Sequence, residues 1–156
     1  MRFFLLVLVL LIASEARPED DVISKTVLGL HPDLAKGTQA MQTGDFEEGI
    51  RLILRGLKYA GSARDRAAAY SNLCAGYART GHFDTAIEYC SQSLELRPDN
   101  WRAYHNRTYA LLSQGRIEEA IHDARTGLEI APDASLLHQI LGIAERLGSR
   151  PNVIPD

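Results

Sequence analysis

The amino-acid sequence of 156 residues lacks the features of several functional classes. It has no basic stretch and no stripe of basic and aromatic residues, which argues against a nucleic-acid-binding protein. It also has no acidic tail, and its net charge at neutral pH is only −3. Charged residues form 24% and hydrophobic residues 46% of the chain, which are ordinary fractions for a globular protein. The length therefore fits one folded domain, and disorder is not the default expectation.

The signatures of catalytic and metal sites are also missing from the sequence. No serine lies in the pattern of a nucleophile elbow, and no glycine-rich loop follows a strand pattern to hold a phosphate. The histidines lack the i, i+4 spacing that places two metal ligands on one helical face. They are His31, His82, His105, His122 and His138. We therefore expect a protein that is not an enzyme and that takes no cofactor or metal.

Long hydrophobic runs are scarce, and the longest one extends from Phe3 to Ile12. Arg2 precedes this run, and Ser14 and Ala16 supply small residues before a cleavage point. This order predicts a secretory signal peptide at residues 1–16 and an exported mature protein, periplasmic or secreted. An uncleaved anchor is the alternative, but the ten apolar residues are only half of the roughly 20 that a bilayer helix needs. We expect no stable membrane insertion after cleavage.

An internal repeat is the dominant positive feature of the sequence. Residues 67–98 and 101–132 match each other at a constant offset of 34 residues. The matched pairs are Tyr70 with Tyr104, Tyr77 with Leu111, Gly81 with Gly115, Phe83 with Ile117, Ala86 with Ala120, Leu94 with Leu128 and Pro98 with Pro132. A weaker copy precedes them, in which residues 44–48 match residues 81–85. A fixed period of this length indicates stacked helix–turn–helix units.

Several repeated residues have a physical role in such units. Gly81 and Gly115 lie where a first helix turns into a second, and glycine tolerates the backbone angles that this turn requires. Ala86 and Ala120 are small enough to let the paired helices approach closely. An aspartate recurs near the start of each first helix, where we expect its carboxylate to cap free N–H groups. These aspartates are Asp65, Asp99 and Asp133.

The repeated pattern resembles the tetratricopeptide repeat (TPR) family. The resemblance implies an all-α fold, a right-handed α–α superhelix of three helix–turn–helix repeats followed by a C-terminal capping helix. We expect the repeats at about residues 30–63, 67–100 and 101–134, and the capping helix at 135–147. A linker or short helix at 17–29 precedes the repeats, and a flexible tail at 148–156 follows them.

The family resemblance also implies a concave groove, lined by the first helices, in which polar side chains bind a peptide. The residues at groove positions include Thr38, Asn72, Arg79, Arg102, His105, Asn106 and Tyr109. Asn72 and Asn106 occupy the same position in successive repeats, so their amides can hold the main chain of an extended peptide. Arg102 beside them can bind a carboxylate. A second interpretation is that the two asparagines only steady neighbouring repeats.

The groove partly resembles the carboxylate clamp of TPR co-chaperones. That clamp uses a lysine and an asparagine in the first repeat, an asparagine in the second and two cations in the third. Asn72 and Arg102 match this pattern, whereas Leu34, Thr38 and Asn106 depart from it. Two matches of five do not make a clamp, so the resemblance leaves the ligand open.

Three apolar residues, Leu136, Ile140 and Ile143, lie along one side of the expected capping helix. One interpretation is a hydrophobic end of the groove that takes an apolar side chain of the partner. A second is a patch for homo-oligomerisation, because an uncovered apolar surface tends to find another molecule. A third is a surface covered by the C-terminal tail.

The two cysteines, Cys74 and Cys90, fall on the first and second helices of one repeat. Antiparallel packing places both in one core layer, and export would permit a disulfide between them. Buried free cysteine also behaves as a small hydrophobic residue. A disulfide and two free thiols both remain open at this point.

Taken together, the repeats and the groove residues predict a non-enzymatic adaptor. It would bind a peptide segment of an envelope or secreted protein in its concave groove, with no role for nucleic acid. The alternative is a structural or assembly module that homo-oligomerises through its apolar capping helix.

Overall fold

A computed structural model describes residues 31–149 of the chain. These residues form seven helices and contain no strand, which confirms the expected all-α class for this part of the chain. The helices are α1 (Pro32–Thr43), α2 (Phe46–Leu57), α3 (Ala63–Arg79), α4 (Phe83–Leu96), α5 (Trp101–Ser113), α6 (Ile117–Ile130) and α7 (Ser135–Gly148). The predicted signal peptide and linker, and residues 150–156 of the tail, lie outside the described residues. The proposed domain limits therefore stay predictions.

The helices pair in chain order and stack as a solenoid. α1 packs on α2, α3 on α4 and α5 on α6, while α7 packs on α6 and α5. The first helix of each pair also contacts the first helix of the next, so α1, α3, α5 and α7 form a continuous row. Among the described helices, the backbones of the second helices α2, α4 and α6 do not approach one another in this way. The first helices therefore lie on the inner face of the stack, and the second helices lie apart on its outer face.

The predicted turns are present within the pairs. Gly44, Gly81 and Gly115 lie in the turns that follow the first helices, with φ angles of 86°, 83° and 74°, in the left-handed region that favours glycine. Ala86 and Ala120 are fully buried between helices, as their small size predicts. None of the described helices is both long enough and apolar enough to cross a bilayer.

The predicted capping role of the aspartates is wrong. Ser62 caps α3, and its Oγ accepts from the main-chain N–H of Asp65, which already lies in the first helical turn. Asp99 precedes the cap position of α5, and Arg97 binds its carboxylate instead. Ala134, after Asp133, holds the cap position of α7 and makes no side-chain bond. The repeat period placed these aspartates near helix starts, but a shift of a single position decides which side chain reaches the free N–H groups.

A disulfide joins Cys74 on α3 to Cys90 on α4, with 5.2 Å between their Cα atoms. Both residues are fully buried in a cluster with small side chains that include Ala78 and Ala86. Close helix packing brings the two Cα atoms within the range that a disulfide can span. The bond therefore fixes the central helical pair, whose first helix carries part of the predicted groove.

Candidate binding groove on the inner face

All seven predicted groove residues lie on first helices and thus belong to the inner face. Arg79, Arg102 and Tyr109 are exposed, whereas the other four are partly buried. Those four are Thr38, Asn72, His105 and Asn106. Six of the seven line two pockets between α3 and α5, whereas Thr38 lines a separate pocket beside Asn72.

The first pocket, which we name the tyrosine pocket, has a volume of about 280 Å³. It is lined by Phe46, Ala75, Ala78, Arg79, His105, Asn106 and Tyr109. The guanidinium of Arg79 lies 5.4 Å from the ring centre of Phe46, which is close enough for a cation–π interaction. The pocket thus combines apolar walls with an aromatic ring and a few polar groups, a composition that suits a side chain of a bound peptide.

The second pocket, which we name the arginine pocket, has a volume of about 240 Å³. It is lined by Arg64, Ala68, Ser71, Asn72, Arg97, Asn100 and Arg102. The guanidinium of Arg102 also lies over the ring of Trp101, at 4.3 Å from its centre. Three guanidinium groups and two amides supply many donors, and the lining itself contains no carboxylate. The pocket is therefore suited to an anion.

Sequence reasoning missed three residues of the arginine pocket, namely Arg64, Arg97 and Asn100. Arg64 lies in the first turn of α3, while Arg97 and Asn100 flank the loop between α4 and α5. The excess of arginine on both sides of this loop was the available signal. Only the stacking of α5 beside α3 places these side chains in one pocket with Arg102.

Asp99 moderates the positive charge of the arginine pocket. Its carboxylate accepts two hydrogen bonds from the Arg97 guanidinium, at 3.1 and 2.7 Å. The Arg97 hydrogen bond, with a smaller contribution from the charge of Arg64, holds the pKa of Asp99 below its usual range. Asp99 does not line the pocket, but its carboxylate would compete with an external anion for Arg97.

The asparagine pair has a structural role in the described chain. The amide of Asn72 donates to Thr38 Oγ1 at 3.1 Å, so it joins α3 to α1. The amide of Asn106 donates to the main-chain oxygen of Ser71 at 3.3 Å, so it joins α5 to α3. These bonds favour the interpretation that the asparagines steady neighbouring repeats. Alanine at both positions would disturb stability as well as binding. Substitution of the arginines that line the groove is therefore a better probe of binding.

The carboxylate-clamp pattern is broken further by burial. Leu34, at the position of the clamp lysine, belongs to the core with only 4% of its surface exposed. Thr38 uses its hydroxyl to donate to the main-chain oxygen of Leu34 at 2.8 Å and to accept from Asn72. The first repeat therefore offers no cation at the clamp position.

His105 makes the stability of the groove depend on pH. Burial lowers the pKa of its imidazole, and a hydrogen bond with Asn106 opposes this shift only in part. Protonation therefore favours the unfolded state, so the stabilising contribution is complete above the unfolded pKa of about 6.5 and is lost as the pH falls below it. We expect His105→Gln to lose less stability between pH 7 and pH 5 than the wild type. Urea unfolding at stepped pH measures this difference, and parallel curves for the two proteins would contradict it.

The predicted apolar patch on α7 is smaller than expected. Leu136 and Ile143 are 48% and 45% exposed, but Ile140 is only 6% exposed. Ile140 shares an i, i+3, i+7 stripe with the buried residues Leu137 and Ala144, and this stripe packs against the preceding pair. Ile140 is therefore a core residue, and the prediction that it lies in a binding or oligomer patch is wrong.

The comparisons with known proteins agree with this architecture. Residues 67–100 and 89–122 match family models described as tetratricopeptide repeat. Residues 67–122 therefore carry tetratricopeptide repeats. The matched segments together span residues 67–122, so the number of three repeats with a capping helix stays a prediction.

Similar proteins include sperm-associated antigen 1 of Mus musculus, which is 33% identical over 111 residues. This alignment covers 71% of the present chain and 12% of that relative, so the chain spans about an eighth of the relative's length. The solved structure of the first TPR of Spaghetti (RPAP3), bound to the HSP90 peptide SRMEEVD, matches with a TM-score of 0.69 at 22% identity. It covers 76% of this chain and 94% of that one. The Sgt2 TPR domain from Aspergillus fumigatus matches with a TM-score of 0.67 at 19% identity, covering 90% of each chain. These structural matches establish the shared solenoid fold.

Proposed function

We propose that this TPR chain is a non-enzymatic adaptor that binds an extended, acidic peptide segment of another protein along its inner face. The observation that carries the proposal is the arginine pocket, in which Arg64, Arg97 and Arg102 surround one cavity beside the tyrosine pocket. An acidic residue of the partner would lie in the arginine pocket, and an apolar residue would lie against Tyr109. The Spaghetti structure holds the acidic peptide SRMEEVD, and the TPR2B domain of yeast Sti1 is in a complex with pHsp70. Peptide binding by these structural neighbours supports the same type of ligand here.

The anion in this proposal is bound by residues other than those of the carboxylate clamp. Arg102 retains a clamp position, but Arg64 and Arg97 approach the pocket from the start of α3 and the end of α4. We therefore expect the acidic side chain of the partner to lie near the N-terminal ends of α3 and α5. The electrostatic attraction should be sensitive to salt, because these guanidinium groups are near the solvent.

We further propose that the partner is an envelope or secreted protein. Two features support an oxidising location, namely the signal-like residues 1–16 and the disulfide between Cys74 and Cys90. Cell fractionation with N-terminal sequencing of the purified protein would test this. A protein that keeps residues 1–16 and remains with the cytosol would contradict export.

The binding proposal predicts opposite effects for two charge changes in the arginine pocket. Arg64→Ala with Arg102→Ala is expected to weaken binding of an acidic peptide by about tenfold or more, because a hydrogen bond to a charged group contributes roughly 1.5–3 kcal/mol. Asp99→Asn is expected to strengthen the same binding, because it removes the internal carboxylate that competes for Arg97. Fluorescence anisotropy with peptides selected from a library of free and amidated C-termini would measure both effects.

The matched control for these variants is Arg51→Ala. Arg51 is an exposed arginine on α2 that pairs with Glu48 and lines neither inner pocket. Arg51→Ala removes one positive charge, as each pocket substitution does, but it should leave peptide affinity unchanged. If Arg51→Ala weakened binding as much as the two arginine substitutions in the pocket, the effect would be one of general charge and would contradict the assignment of the site to the groove. Failure of every library peptide to bind would remove the adaptor function itself.

Homo-oligomerisation through α7 is the second candidate, because Leu136 and Ile143 leave apolar surface exposed on the last described helix. Sedimentation velocity across protein concentration tests it directly. If the patch is an interface, Leu136→Glu with Ile143→Glu should convert a dimer to a monomer at equal helicity. A wild-type monomer at all concentrations would remove this candidate.

A further inference from the structure

The outer face carries a cleft that the proposed groove function does not use. It lies between the second helices α4 and α6, with its floor on α5, and its volume of about 470 Å³ exceeds that of either inner pocket. The cleft is lined by Ile87, Ser91, Arg107, Leu111, Arg116, Glu118, Glu119, His122 and Asp123. Its position on the opposite side of the first helices makes it separate from the peptide groove.

Comparison of the two strong repeats shows how this cleft arises. A shift by one repeat places Leu73 on Arg107, Tyr77 on Leu111 and Tyr89 on Asp123. At the junction of α2 and α4, these three earlier residues pack in one hydrophobic cluster that also contains Ile50. The rings of Tyr77 and Tyr89 are stacked there, with 5.5 Å between their centres. Tyrosine rings thus fill the first junction, whereas the corresponding residues leave the second junction open.

The open cleft has polar groups at fixed positions over an apolar floor. Arg107 donates from Nε and Nη2 to the two oxygens of Asp123, at 2.6 and 2.8 Å, and from Nη1 to Ser91 Oγ at 3.0 Å. Within residues 31–149, these bonds satisfy three of the five N–H donors of the guanidinium. Ile87 and Leu111 form the apolar part of the lining. A ligand with a ring and one oxygen acceptor would complement both.

A buried ion pair between Arg107 and Asp123 gives this junction no clear gain in stability over apolar residues. Asp123 is 5% exposed and Arg107 is 22% exposed, and well-packed apolar residues are often as stabilising as a buried pair or more so. At the first junction, the same fold packs apolar and aromatic side chains. The polar and open cleft at the second junction therefore fits a binding role better than a purely structural one.

We propose that the outer cleft binds a tyrosine side chain of a partner protein, whose ring occupies the place that tyrosine rings fill at the first junction. The ring packs on Ile87 and Leu111, and its phenolic oxygen accepts a hydrogen bond from Arg107. The cleft volume lies within the range of small-ligand pockets and accommodates one aromatic side chain. Together with the inner groove, this site would let the chain hold two segments on opposite faces.

A titration of the wild-type protein with N-acetyl-tyrosinamide tests this proposal directly, with backbone amide NMR shifts as the readout. We expect weak but saturable shifts, on the order of millimolar affinity, at the backbone amides of Ile87, Ser91, Arg107, Leu111 and Asp123. N-acetyl-phenylalaninamide should bind several-fold more weakly, because it lacks the phenolic oxygen, and N-acetyl-leucinamide more weakly again. Absence of saturable shifts at these five residues, or equal affinity for all three probes, would overturn the proposal.

Two variants test the position of the site. Leu111→Tyr copies the residue that occupies the same position in the preceding repeat, so it should fill the cleft, abolish the probe shifts and leave the melting temperature unchanged or higher. Ile87→Phe reduces the cleft from its other wall and gives the same readout if Leu111→Tyr fails to fold. Tyr109→Ala, on the inner face, is the control that should keep the shifts. Unchanged probe affinity in a folded cleft variant would contradict the assignment.

Discussion

Loss of the Cys74–Cys90 disulfide is expected to lower the free energy of unfolding by about 3 kcal/mol. The two cysteines are 16 residues apart in the sequence, and the bond restricts the unfolded chain by closing a loop of that length. For a domain of this size, the expected decrease in melting temperature is on the order of 10 °C. Thermal and urea unfolding with and without reductant would measure the effect.

The control for this prediction is the double variant Cys74→Ala with Cys90→Ala. It should melt at the temperature of the reduced wild type or slightly below it, because alanine leaves small cavities at two fully buried positions. It should also be insensitive to reductant. Equal melting temperatures for the oxidised wild type, the reduced wild type and the double variant would show that the bond contributes nothing to stability.

The disulfide also connects stability to the groove. It joins α4 to α3, and α3 supplies Asn72 to the arginine pocket and Arg79 to the tyrosine pocket. A looser central pair would change the distance between α3 and α5, on which both pockets depend. Peptide affinity measured beside the melting curves would show whether the bond also holds the groove in its binding geometry.

Asp123→Ala is expected to destabilise the fold by about 3 kcal/mol, which is the low end of the effect of breaking a buried ion pair. The variant leaves Arg107 without its carboxylate, in a site where the arginine side chain is only 22% exposed. The partial exposure lets water compensate some of the lost interaction, and for this reason the lower value applies. Urea unfolding monitored by circular dichroism is the direct measurement.

The double variant Arg107→Leu with Asp123→Tyr separates the cost of an unpaired charge from the value of the pair. It reproduces Leu73 and Tyr89 of the preceding repeat, so no charge remains buried and the cleft is partly filled. Its free energy of unfolding should equal or exceed that of the wild type. A loss as large as that of Asp123→Ala would mean that the second junction requires the ion pair for its packing.

The two faces of the solenoid differ in how their sites are built. The inner pockets form where successive first helices meet, so residues from the start of α3, the end of α4 and the start of α5 share one cavity. The outer cleft lies between two second helices, and repeat-specific side chains decide whether it is filled. A single substitution in one repeat can therefore change an outer site without altering the inner groove.

The sequence by itself determined the helices, the turns and the close contacts within pairs. These features are local, since the repeat period, a glycine at each turn and an alanine at each close approach are properties of one repeat. Gly81, Gly115, Ala86 and Ala120 have the roles that the sequence predicted. The row of first helices that carries the groove residues also followed from the family resemblance.

The tertiary structure alone decided which side chains meet. Arg64, Arg97 and Arg102 share a pocket because α5 stacks beside α3, and the sequence contains no spacing that encodes this. Ile140 is buried and Leu136 is exposed because the rotation of α7 on the preceding pair selects one stripe of its surface. Small rotations and offsets of stacked helices move side chains by several ångströms, whereas the repeat pattern fixes only their order along the chain. The scaffold can therefore be predicted from the sequence, whereas the binding chemistry depends on how the repeats pack.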